Sequence, residues 1–100
     1  MRPDTHTGQV EEVRRLVALK GGRCWVTSQG HRLRGSAGIP DLYVVAPHGV
    51  THEVRAVWME VKVGKDRLRP AQEEFIRTVQ KAGRLVVVGR CKDLMQAMGW

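Results

Sequence analysis

Two acidic residues and a lysine stand out by type and spacing. Glu60 and Lys62 lie two apart in Trp58-Met59-Glu60-Val61-Lys62-Val63. In an extended strand alternate side chains share a face, so a carboxylate and an ammonium stand side by side. Met59, Val61 and Val63 take the opposite face and are expected in the core. Burial disfavours such charges unless they pair with each other or with a ligand. Upstream, Gly38-Ile39-Pro40-Asp41 puts a second carboxylate where a rigid turn runs into the apolar stretch Leu42–Ala46. If the two strands pair as a hairpin, Asp41 and Glu60 converge near one edge of the sheet. Two close carboxylates repel unless a cation lies between them, and oxygen donors select Mg²⁺ or Mn²⁺ over zinc. A cation held there polarises a phosphoryl oxygen and acidifies a water. Lys62 beside it orients that water or neutralises developing charge. Those parts suffice for phosphodiester hydrolysis. Singly they are commonplace: Glu-x-Lys usually marks a solvated strand face, and Gly-x-Pro-Asp usually a turn. Their order within one pattern of elements carries the reading.

The elements that must position them follow from periodicity. Residues 1–8 are polar, with Pro3 and Gly8, and are expected to fray. Val10, Val13, Leu16 and Val17 recur at helical spacing from about Gln9 to Lys20, and Gly21-Gly22 stops that helix. Cys24–Thr27 suits a strand, and Ser28–Gly38 is a basic, glycine-punctuated loop. Leu42–Ala46 reads as a buried strand broken by Pro47-His48-Gly49, and Val54–Val63 as a second, alternating one. Pro70 opens a helix where its missing N–H costs nothing, with Glu73 and Glu74 in the first turn. Ala71, Phe75, Ile76, Val79 and Ala82 are its expected inner face. Leu85–Val88 reads as a buried strand, and about Asp93 to Met98 as a short last helix. The order is α-β-β-β-α-β-α. A helix crossing between the third and fourth strands implies a mixed sheet of about four strands flanked by helices, an α/β fold.

Composition sets the frame. The 100 residues are read as one domain, 1–100, whose small core makes support from dimerisation unsurprising. No stretch approaches the roughly 18 apolar residues of a membrane span, and the amino terminus lacks the apolar core of a signal peptide. A cytoplasmic location is expected, the host cytoplasm if the chain is phage-encoded. Cys24 and Cys91, set among strand-like neighbours, read as buried reduced thiols, and no paired short spacing suggests zinc. The net charge of +7 favours a polyanion, with nucleic acid the usual one. His31, Arg32 and Arg34 before the Asp41 turn, and Lys65, Arg67 and Arg69 after Lys62, are candidate phosphate contacts. His48 and His52 read as hairpin surface. Trp25, Trp58 and Trp100 read as core or interface residues rather than base-stacking platforms, with Trp58 walling the site.

GIPDL, then WMEVK, then RPAQ resembles the VRR-NUC (virus-type replication-repair nuclease) branch of the PD-(D/E)xK superfamily, often found as small phage-encoded proteins. The resemblance runs from about Gln9 to Ala97. It implies a restriction-endonuclease-like core, a divalent metal and DNA cleavage. It makes Asp41, Glu60 and the Val61 backbone carbonyl metal ligands, Lys62 the catalytic lysine, and Gln72 the glutamine opening the next helix. The family also carries a glutamate on its first helix that faces the metal. Glu12 is the candidate here, with Glu11 and Gln9 as alternatives. Stand-alone members imply a homodimer acting on branched DNA such as four-way (Holliday) junctions. The competing reading is a basic DNA-binding module that keeps the fold without cutting.

Overall fold

The first helix begins where a side chain can satisfy its open end. Thr5 is the N-cap, its Oγ1 accepting from the Gly8 amide at 2.9 Å, and α1 runs His6–Leu19. The computed structural model describes residues 4–27 and 38–100. After α1 come β1 (Arg23–Val26), β2 (Leu42–Pro47), β3 (Val54–Val61), α2 (Pro70–Lys81), β4 (Leu85–Gly89) and α3 (Cys91–Met98). The expected order of elements is the observed one.

The strands form one sheet in the order β1-β2-β3-β4. β1, β2 and β3 are antiparallel neighbours, whereas β4 lies parallel to β3. A parallel pair needs a crossover connection, and α2 supplies it. α1 and α3 cover one sheet face. There Val13 and Val17 meet Leu42, Val44 and Ala46 of β2, Val57, Met59 and Val61 of β3, and Leu94 and Met98 of α3. By alternation Trp25, Tyr43, Trp58 and Glu60 belong to the other face. α2 packs there against β4, with Ile76 buried and the Phe75 ring edge-on to Trp58.

Several boundaries move, each for a local reason. The Thr5 cap draws residues 6–8 into α1, where fraying was expected and the helix was to start at Gln9. β1 is Arg23–Val26, because Thr27 turns to bond the Asp41 loop. Pro47 does not break β2 but ends it, paired with Val54. β3 stops at Val61, so Lys62 and Val63 lie beyond the ladder. α3 starts at Cys91, since the Asp93 carboxylate accepts from the Arg90 amide at 2.7 Å and closes its first turn. Cys91 therefore opens a helix instead of sitting among strand residues, and both cysteines are free. On α2, Ala71 and Ala82 are exposed; Ile76 alone is buried, with Phe75 and Val79 half-buried. Trp25 is 48% exposed, not core. Trp100 packs on the core, its indole N–H donating to the Pro47 carbonyl. His48 takes a turn role, its Nδ1 accepting from the Val50 and Thr51 amides.

Candidate active site

The hairpin register sets the first pair. Leu42 faces Met59 across β2 and β3, so the next step outward puts Asp41 beside Glu60 on the sheet face opposite the core. The turn that delivers Asp41 is clamped from two sides. Thr27 bonds the turn twice, its amide donating to the Asp41 carbonyl at 2.8 Å and its hydroxyl to the Pro40 carbonyl. Gly38 lies so close to the Ala71 carbonyl of α2 that any Cβ there would collide. The side chain is fixed as firmly: Oδ2 accepts from the Val61 amide at 2.9 Å and sits 3.0 Å from His6 Nε2. Asp41 and Glu60 are both buried, at 9% and 3% exposure.

Around Glu60 the charges are arranged as a short chain. Its Oε2 lies 3.4 Å from Lys62 Nζ and accepts from Gln72 Nε2 at 3.1 Å. Lys62 donates to Gln72 Oε1 at 3.2 Å, and the same oxygen accepts from the Arg69 amide at 2.8 Å. Gln72 thus caps α2 and ties Glu60 to Lys62 in one side chain. Lys62 reaches this position because it leaves the ladder after a final backbone bond to Gly89. Burial, then the neighbouring Asp41 carboxylate, push the Glu60 carboxyl up to about 7, against the opposing pull of Lys62. An acid so placed gains from a cation in proton form or metal form alike.

A family comparison meets this geometry from another direction. The VRR-NUC domain model matches residues 5–93 of the chain. The chain belongs to the VRR-NUC family. It is thereby a member of a nuclease family, with the mixed, helix-flanked sheet that such a domain calls for. Comparison with curated proteins returns no match, and comparison with solved structures returns none.

The VRR-NUC domain brings together Asp41, Glu60, Lys62 and Gln72. Glu11 and Glu12 are placed differently. Glu11 pairs with Arg14 at 3.2 Å on the surface, while Glu12 accepts from Gln9 Nε2 at 3.3 Å and lies near Cys91, whose thiol is pushed up by burial and by that carboxylate. Gln9 is buried and joins α1 to α3 by accepting from the Cys91 amide at 2.7 Å. From α1, the side chain in contact with Asp41 is that of His6. Sequence reasoning missed it, although Thr5, a good N-cap residue, marked the helix start that places His6 in the first turn. Lys65, Arg67 and Arg69 are exposed on the connection between Lys62 and α2. His31, Arg32 and Arg34 lie outside the described residues.

The donor set can be tested against the divalent cation that the family implies. Among the described residues no group of three or more His, Cys, Asp or Glu side chains gathers to hold an ion. Two buried carboxylates do converge, and two are what Mg²⁺ commonly takes from a protein, its remaining positions going to water and substrate phosphate. The residues fit a hard cation shared with a phosphodiester and do not fit an all-protein cage.

Proposed function

We propose that this chain is a Mg²⁺- or Mn²⁺-dependent DNA endonuclease that hydrolyses phosphodiester bonds at branched structures, such as four-way junctions, as a homodimer. The observation that carries the reading is the buried Asp41–Glu60 pair with the Lys62 ammonium 3.4 Å from Glu60. A protein that only bound DNA would gain nothing from two buried acids that repel phosphate. Asp41, Glu60 and the Val61 carbonyl are the groups that would hold the cation, which supplies Lewis acidity to the phosphoryl oxygen and to a water.

The chain's own residues do the rest. The Val61 amide and His6 fix the Asp41 carboxylate, so it need not reorganise when substrate arrives. Gln72 holds Lys62 and Glu60 in register. The Lys62 ammonium orients the attacking water and offsets the negative charge that grows as the water oxygen bonds to phosphorus and the P–O ester bond breaks. Lys65, Arg67 and Arg69 neutralise flanking phosphates. Two cuts in a four-way junction require two sites at a fixed separation, hence the dimer, which light scattering at micromolar concentration measures directly.

The test is a panel of labelled junction, flap, linear and single-stranded DNA, incubated with the protein with and without Mn²⁺. Cleavage is expected only with metal and most strongly on branched substrates. Lys62→Ala is expected to lose cleavage by at least about a hundredfold while binding DNA normally. Full activity in that variant would remove Lys62 from the mechanism.

A further inference from the structure

A row of rings crosses the open sheet face next to the acids. The register aligns Trp25 of β1 with Tyr43 of β2, and Tyr43 with Trp58 of β3. Their centroids are 6.2 Å and 4.7 Å apart, and Phe75 of α2 closes the row 5.3 Å from Trp58. Among the described helices, α1 and α3 pack on the opposite face, and α2 lies against β4. Trp25 is 48% exposed on β1, an edge strand of the sheet among the described residues. Beside it, Tyr43, Ala56, Trp58 and Arg84 line a hollow of about 270 Å³.

We propose that this face holds an unpaired nucleobase of the substrate, stacked on the Trp25–Tyr43–Trp58 row with Arg84 at its edge. The placement beside the scissile phosphate rests on the nuclease reading; the binding itself does not. Three observations support a nucleic acid as occupant. Arginines border the rings at both ends of the row: Arg84 at the hollow, and Arg23 two residues before Trp25 on β1 and so on the same face. Aromatic faces within a basic rim suit single-stranded nucleic acid, where any base offers a π-face and the cations take the backbone. A second copy of the chain would bring the same arginines against these and would be repelled. Lastly, Tyr43 lies two residues from Asp41, which immediately precedes β2, and Trp58 two residues from Glu60 on β3, a step of roughly 7 Å in each case. A base on the row therefore belongs to a nucleotide next to the phosphate at the acids. Paired bases expose only their edges, so the row selects cuts flanked by unpaired nucleotides.

The experiment is fluorescence anisotropy in EDTA. It compares a labelled oligothymidylate with a sugar–phosphate chain of the same length lacking bases. The expected result is tighter binding of the thymidine chain by about tenfold or more. Trp25→Ala and Arg84→Ala should each erode that preference, and Trp25→Phe should restore most of what Trp25→Ala loses. Trp25 is exposed, so unchanged circular dichroism is expected throughout. Equal affinity for the two chains would overturn the proposal. So would a preference that Trp25→Ala leaves intact, or sedimentation showing self-association that depends on Trp25. Because metal is absent, failure to cleave any DNA would leave this result standing, whereas metal-dependent cleavage without base preference would overturn the stacking proposal alone.

Discussion

Glu60 is a carboxyl whose surroundings favour the proton. Its value rises from the ordinary 4.5 to about 7 because it is buried beside Asp41. The folded chain therefore holds a proton between those values that the unfolded chain has lost. Stability falls as pH rises through that window, is greatest below it and levels off above it. Urea midpoints in EDTA at pH 5 and pH 7.5 should show a loss on the order of 2 kcal/mol from this group. Glu60→Gln should largely remove that loss, and an unchanged slope in the variant would assign it to other groups. The approach of Asp41 to Glu60 was legible in the sequence because hairpin pairing fixes which side chains share a face, while Lys62 reaches Glu60 from just past the end of β3. His6 was not, since its approach to Asp41 depends on how α1 lies across the sheet, a tertiary fact with no local spacing behind it. Nor was the exposure of Trp25. An aromatic residue in a short strand suits core and surface equally until the covering helices are placed.

At the scale of elements, α2 does two jobs through one residue. The Gln72 side-chain oxygen closes the helix start at the Arg69 amide and also receives Lys62. Gln72→Ala should cost about 1 kcal/mol of stability, typical of a lost cap, and should also lower the cleavage rate. A loss of stability with the rate untouched would confine Gln72 to a capping role. α3 matters through its buried side. Leu94 is fully buried between α3 and the sheet, so Leu94→Ala should cost about 2–5 kcal/mol by thermal or urea unfolding. Element types and order were readable because Pro70, Gly21 and Gly83 punctuate the chain and the apolar runs are short. The ends of elements were less so. β3 stops at Val61 because the ladder ends, whereas the alternating sequence continues to Val63. Ala71 and Ala82 fit the helical period of α2 yet stay exposed, as α2 rests mainly on β4.

Over the whole molecule, a net charge of +7 is carried largely by arginines and lysines outside the core. DNA binding should weaken linearly in log–log terms with salt. Replacing both Lys65 and Arg67 by alanine should reduce the slope by about two if each meets a phosphate; an unchanged slope would place DNA elsewhere. The sheet topology was predictable in outline, since a helix between two strands demands a crossover and hence a parallel pair. Which face α1 and α3 cover was not, because both must choose the same side. The proposed catalysis requires a divalent cation that Asp41 and Glu60 would hold, and calorimetric titration of Mn²⁺ reads this most directly. One ion per chain should bind at pH 7.5, with affinity weakening about tenfold per pH unit below about 7 as Glu60 takes up its proton, and Asp41→Asn should abolish the heat. Unaltered Mn²⁺ affinity in Asp41→Asn would contradict the account.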